Sequence, residues 1–183
     1  MQTRASPATP SALGHFNAAP ADEAVDTLLT CLGSRDWALR LSAHRPYPDL
    51  PALLAAADEA AYDLPPAALT EALSAEALPA LPPDTYAAAH TALNAAHAAY
   101  ESRFGHVFVI CLDGLKADEA LDHVLAGIRS RLSNDPEEER LVASEELRGL
   151  AKVRLTHALQ GRGEPRDQPP TVRTRQTTQT PTP

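Results

Sequence analysis

The placement of proline limits what this 183-residue chain can become more than any other feature. Pro20, Pro46, Pro48, Pro65, Pro66, Pro79, Pro82, Pro83 and Pro136 divide it into stretches of helix length. A proline ring has no N–H to donate, so it is tolerated at a helix start but breaks a helix interior. The stretches between the prolines are Ala-rich and carry apolar residues three and four apart, the spacing of a helix face and not of a strand. Aromatic residues make up only 4% and glycines number 8, which argues against sandwiches, barrels and glycine-loop nucleotide folds. The expected class is all-α, a single domain of about seven helices.

Helices are predicted over residues 20–32, 35–43, 49–62, 65–77, 84–104, 117–132 and 136–159. Gly33 is read as the stop of the first, and Ser34 and Asp84 as N-caps of the second and fifth. Asn134-Asp135-Pro136-Glu137-Glu138 is the best-marked start, with a capping Asp, a proline at the first helical position and a Glu three residues after the cap. The run from His106 to Leu112 is β-branched and apolar and ends at Asp113-Gly114. With no partner strand elsewhere it is read as a buried extended connector.

Residues 1–14 and 161–183 are poor in core-forming side chains, the second rich in Pro, Thr and Gln, so both are expected to be disordered tails around a domain at 15–160. Formal net charge is −8. The last segment carries four arginines against two acids, so the body is more acidic still, which argues against nucleic acid as a partner. Cys31 and Cys111 lack the spacing of a zinc site or disulfide framework, and no apolar run has the length of a signal peptide or membrane span. A cytoplasmic, membrane-free setting with reduced thiols is expected.

Several segments together resemble one family. These are Asn17-Ala18-Ala19-Pro20, Trp37 with Arg45-Pro46-Tyr47, Tyr100 through Phe104-Gly105-His106-Val107-Phe108-Val109-Ile110, Arg131-Leu132-Ser133-Asn134-Asp135, and Glu145-Glu146-Leu147 leading to Val153-Arg154-Leu155. They are similar to the OHCU decarboxylases, all-helical enzymes that convert 2-oxo-4-hydroxy-4-carboxy-5-ureidoimidazoline (OHCU) to S-allantoin in urate breakdown. The likeness covers residues 16–159 and implies that fold, a small-molecule substrate, no cofactor or metal, and a homodimer that Ala-rich helix faces would allow. It also places Arg154 at the family's anion-binding arginine and the backbone of Val107, Phe108 and Val109 at its substrate-bonding segment.

The family's catalytic motifs do not carry over. Aligned through Ala72-Leu73, the catalytic His of the family becomes Glu76, and its Ser-x-x-Glu-Gln segment is absent. Decarboxylation leaves an electron pair that must accept a proton, a task suited to imidazole near neutral pH. A carboxylate there would repel the substrate carboxylate. Glu76 is either a replacement catalytic group or a solvated residue by a turn; Arg154 is a pocket ligand, the partner of Glu145 or Glu146, or a solvated head. His97, in a stripe with His90 and Asn94, is either a substitute acid or base or an exposed histidine, and His106 either a pocket rim or plain loop. Trp37 and Tyr100 are core.

Three functions follow. The first is a diverged enzyme on a polar, anionic small molecule of ureide or heterocycle type, with rebuilt acid/base groups, in specialised metabolism: a lyase, or an isomerase or cyclase derived from one. The second is a true OHCU decarboxylase. The third is a non-catalytic relative that binds a ligand or protein.

Overall fold

A computed structural model of the chain describes residues 11–79 and 87–160, without the side chains of 87–90 and 117. Among the described residues there are eight helices and no strand: α1 Ala12–Ala18, α2 Ala21–Leu29, α3 Arg35–Ala43, α4 Leu50–Tyr62, α5 Pro66–Ser74, α6 Ala87–Phe104, α7 Ala117–Arg131 and α8 Pro136–Gln160. The all-α class and the extended connector stand as predicted. Helix α1 is additional, begun by Ser11, whose Oγ accepts from Gly14 N–H at 3.1 Å. The expected tails fall largely outside the described residues, as does Asp84. None of the described helices is long and apolar enough to cross a membrane.

Cap chemistry explains most boundaries. Asp49 accepts from Ala52 N–H at 2.8 Å, and Asp135 accepts from Glu137 and Glu138 N–H at 2.9 Å each, so the first free donors of α4 and α8 are satisfied. Gly33 has another role than the predicted helix stop, since α2 already ends at Leu29. A Cβ at Gly33 would lie 2.3 Å from that of Ala75, so the missing side chain lets the end of α5 close onto the α2–α3 turn.

Two hydrophobic clusters form the interior. The larger joins α1–α5 and α8 around Leu28, Trp37, Leu41, Leu53, Leu147 and Leu155. Trp37 is fully buried and donates its indole N–H to Ala57 O at 2.9 Å. The smaller joins α6 and α7 around Leu93, Tyr100, Val124 and Ile128. The connector runs between them, and its period-two alternation serves both: Val107 and Val109 pack on the larger cluster, Phe108 and Ile110 on the smaller. A Cβ on Gly127 of α7 would meet Phe108 and Ile110 at 3.2 Å, and one on Gly149 of α8 would meet Cys111 at 3.2 Å. Glycine inside a helix costs up to about 1 kcal/mol relative to alanine, and here it admits the connector on both sides.

Candidate functional site

A buried ionic cluster fixes the connector. Arg131, at the end of α7, donates to Val109 O at 2.7 Å and to Glu139 Oε1 from Nε and Nη2 at 2.8 and 2.6 Å. Asn134 donates to Glu139 Oε2 at 2.9 Å, and the Tyr100 hydroxyl donates to Oε1. The Arg131 guanidinium also lies 4.5 Å from the Phe108 ring centroid. Burial, and then the hydrogen bond to Glu139, push the Tyr100 hydroxyl well above its usual pKa, against the opposing effect of Arg131. On the far side, Glu146 accepts from Cys111 N–H at 2.7 Å.

The connector then forms one wall of a cleft of about 290 Å³, lined by Phe108, Val109, Ile110, Leu112, Leu150 of α8 and residues 76–79 after α5, with Arg154. Glu76 Oε1 and Oε2 accept from Arg154 Nη1 and Nη2 at 2.7 and 2.8 Å, a two-point fork, and Nη1 also donates to Cys31 O at 3.2 Å. The Glu76 side chain is 4% exposed and that of Arg154 37%. The hydrogen bond that Arg154 donates to Glu76 raises the Arg154 pKa further, against the opposing effect of burial. Among the described residues no partner is found for the backbone N–H groups of residues 107–110, although Phe108, Val109 and Ile110 are buried. Buried N–H groups are rarely left unpaired.

The structure therefore brings together Glu76, Arg154, Phe108 and Val109. Arg154 pairs with neither Glu145 nor Glu146: the first bonds Arg148, the second holds Cys111 and the edge of Arg131. Val107 sits one residue back, packed on the larger cluster. His106 faces a different hollow, of about 270 Å³, with Ser74, Phe104 and Arg140 among its walls, and its Nδ1 lies 2.9 Å from Val107 O. His97 is neither exposed, as predicted for a histidine on an Ala-rich helix, nor at the cleft. It is 5% exposed, 6.1 Å from the Phe108 ring centroid and nearly parallel to it, with no hydrogen-bond partner for either ring nitrogen among the described residues. Burial lowers its pKa. His90 has only its backbone described.

Two contributors were not foreseen. Leu150 lies one turn before Arg154 on the same face of α8, a signal the i, i+4 spacing carries. The carbonyl of Cys31 has no sequence signal, because backbone groups look alike in sequence. The Cys31 thiol is pushed up chiefly by burial, which keeps it protonated and unreactive.

An all-α bundle with an extended segment forming one wall of a small, mostly apolar cleft that holds one ion pair is the class these features define. Comparison with known proteins names it. The family model described as OHCU decarboxylase matches residues 17–89 and 76–156, two stretches that overlap at 76–89. The chain belongs to the OHCU decarboxylase family. It is similar to the 2-oxo-4-hydroxy-4-carboxy-5-ureidoimidazoline decarboxylase of Amia calva, 35% identical over 68 residues, which is 37% of this chain and 37% of that protein. Two solved structures share the fold. A crystal structure of (S)-allantoin synthase aligns with a TM-score of 0.62 at 20% identity, over 80% of this chain and 53% of that one. A crystal structure of OHCU decarboxylase in the presence of (S)-allantoin aligns with a TM-score of 0.63 at 23% identity, over 74% and 98%.

Proposed function

We propose that this chain is a diverged enzyme of the OHCU decarboxylase fold that binds a polar small molecule of ureide or heterocycle type in the Glu76–Arg154 cleft and moves a proton with the Glu76 carboxylate. The observation that carries this reading is the fork between Glu76 and Arg154. The end-on N–H pair of Arg154 is already taken by a carboxylate of the chain itself, which leaves the side-on Nε–H and Nη2–H and cancels the guanidinium charge. A substrate carboxylate there would meet an arginine already neutralised, beside a like charge. The overlap of the two family-model matches at residues 76–89 adds support, because it falls where the family's catalytic segment is missing.

In this reading an unpaired N–H of the connector polarises a substrate carbonyl, and Glu76 takes a proton from an adjacent carbon or nitrogen and returns it elsewhere. That is the chemistry of an isomerisation, ring opening or cyclisation. The non-catalytic alternative expects Arg154 paired to Glu145 or another acid and a cleft collapsed so that no ligand fits; Arg154 is paired, to Glu76, but the described walls leave about 290 Å³ between them.

Ultraviolet monitoring of freshly generated OHCU tests the choice. With the purified chain present, decay should proceed at the buffer rate. Acceleration to (S)-allantoin that is lost in Arg154→Ala would instead establish an OHCU decarboxylase.

A further inference from the structure

The cleft's charge is decided by two side chains. Among the described residues that line it, Glu76 and Arg154 are the only ionisable ones, and they cancel. The remaining described walls are mostly apolar, from Phe108, Ile110, Leu112 and Leu150, a setting in which an unpaired ligand charge would be costly. A ligand carboxylate could take the end-on fork of Arg154 only by expelling Glu76, which is almost fully buried, and on the side-on Nε–H and Nη2–H it would meet a guanidinium whose charge Glu76 already cancels.

Hydrogen-bonding capacity points the same way. Each Glu76 oxygen keeps a lone pair after bonding Arg154, and so can accept from a ligand N–H. The connector supplies N–H donors to a ligand carbonyl, and Arg154 keeps its Nε–H and one Nη2–H without a partner among the described residues. Acceptors and donors side by side, over an apolar floor, complement the alternating N–H and C=O edge of an amide-type ring. The size of the cleft, near the lower end for small-molecule sites, suits one such ring.

We infer that Glu76 makes the cleft selective for an uncharged ligand with an amide-type edge, such as a ureide or cyclic imide, over a carboxylate of the same ring. This rests on the reading of the cleft as a small-molecule site, and the expectation of an anionic ligand drawn from the sequence gives way to it. Glu76 acts here as a specificity determinant, because its charge removes the positive field that would hold an anion.

Calorimetric titration of the full chain with two probes tests the inference: (S)-allantoin, which is uncharged, and hydantoin-5-acetate, which carries a carboxylate on the same ring. The wild-type chain should bind (S)-allantoin at least tenfold more tightly. Glu76→Gln, which leaves the guanidinium unneutralised, should reverse that order. A wild-type preference for hydantoin-5-acetate, no preference at all, or an unchanged order in a folded Glu76→Gln would overturn the inference while leaving the cleft a ligand site. If neither probe binds either protein, the small-molecule reading falls and takes the inference with it. The wild-type comparison decides the matter even if the variant does not fold.

Discussion

Two arginine–glutamate pairs flank the connector, and they differ in surroundings more than in chemistry. Arg131 and Glu139 have side chains 7% and 1% exposed, and their bonds extend to Tyr100, Asn134 and the carbonyl of Val109. Arg154 is 37% exposed, its partner Glu76 4%, and the arginine keeps donors to spare beside open space. The first pair is closed, and its effect is to hold a strip of backbone in one position. The second is open on one side, where a ligand can reach it. An ion pair is therefore no sign of function by itself; unused bonding capacity facing a cavity separates the two.

The largest way to test that contrast is Glu139→Ala. It strands a buried guanidinium and loosens Arg131, which holds Val109 O, and removing one partner of a buried pair costs about 3–5 kcal/mol. Chemical denaturation should show that loss, together with exposure of the connector to hydrogen exchange. Arg154→Ala should cost less, about 2–3 kcal/mol, as it leaves the buried Glu76 carboxylate without its partner. Glu76→Ala should cost only about 1 kcal/mol, because the half-exposed arginine can turn to water. Equal losses from Arg154→Ala and Glu76→Ala would mean that the second pair is as closed as the first.

The smallest effect concerns His97, which shares the smaller cluster with the closed pair. Its pKa in the folded state is lowered by burial, so below about 6.5, the ordinary histidine value, the unfolded chain takes up a proton that the folded chain does not. Stability should fall as pH drops from 7 to 5 and be unaffected above 7. His97→Leu should flatten that slope in denaturation series at several pH values. An unchanged slope would assign the acid loss to other groups.

Much of the fold was legible in the sequence. Ser34, Asp49 and Asp135 cap the helices they were expected to begin or lie beside, and Arg35–Ala43 was read with its boundaries. Helix α1 was hidden, since a short stretch after Ser11 with one glycine carries little periodicity. Several residues that carried the family resemblance prove to be scaffold. Asn17 exchanges two hydrogen bonds with Tyr47 backbone at 2.8 and 2.9 Å, Arg45 binds the carbonyls of Phe16 and Ala19, and Arg131 with Asn134 builds the closed pair.

The candidate site was only half legible. Glu76 and Arg154 were each singled out, yet their pairing across 78 positions depends on the turn after α5 reaching α8, and on the room that Gly33 leaves for Ala75. Local spacing carries no record of such a contact. The burial of His97 was missed for a similar reason: the partner that covers it, Phe108, comes from the connector and not from α6.

A crystal structure of the intact chain soaked with (S)-allantoin addresses the central claim most directly. The account predicts the ring in the cleft, its carbonyl on an N–H of the connector and its N–H on Glu76, with the Glu76–Arg154 fork intact. A ligand bound to Arg154 with Glu76 swung away, or density only at another surface, would contradict it.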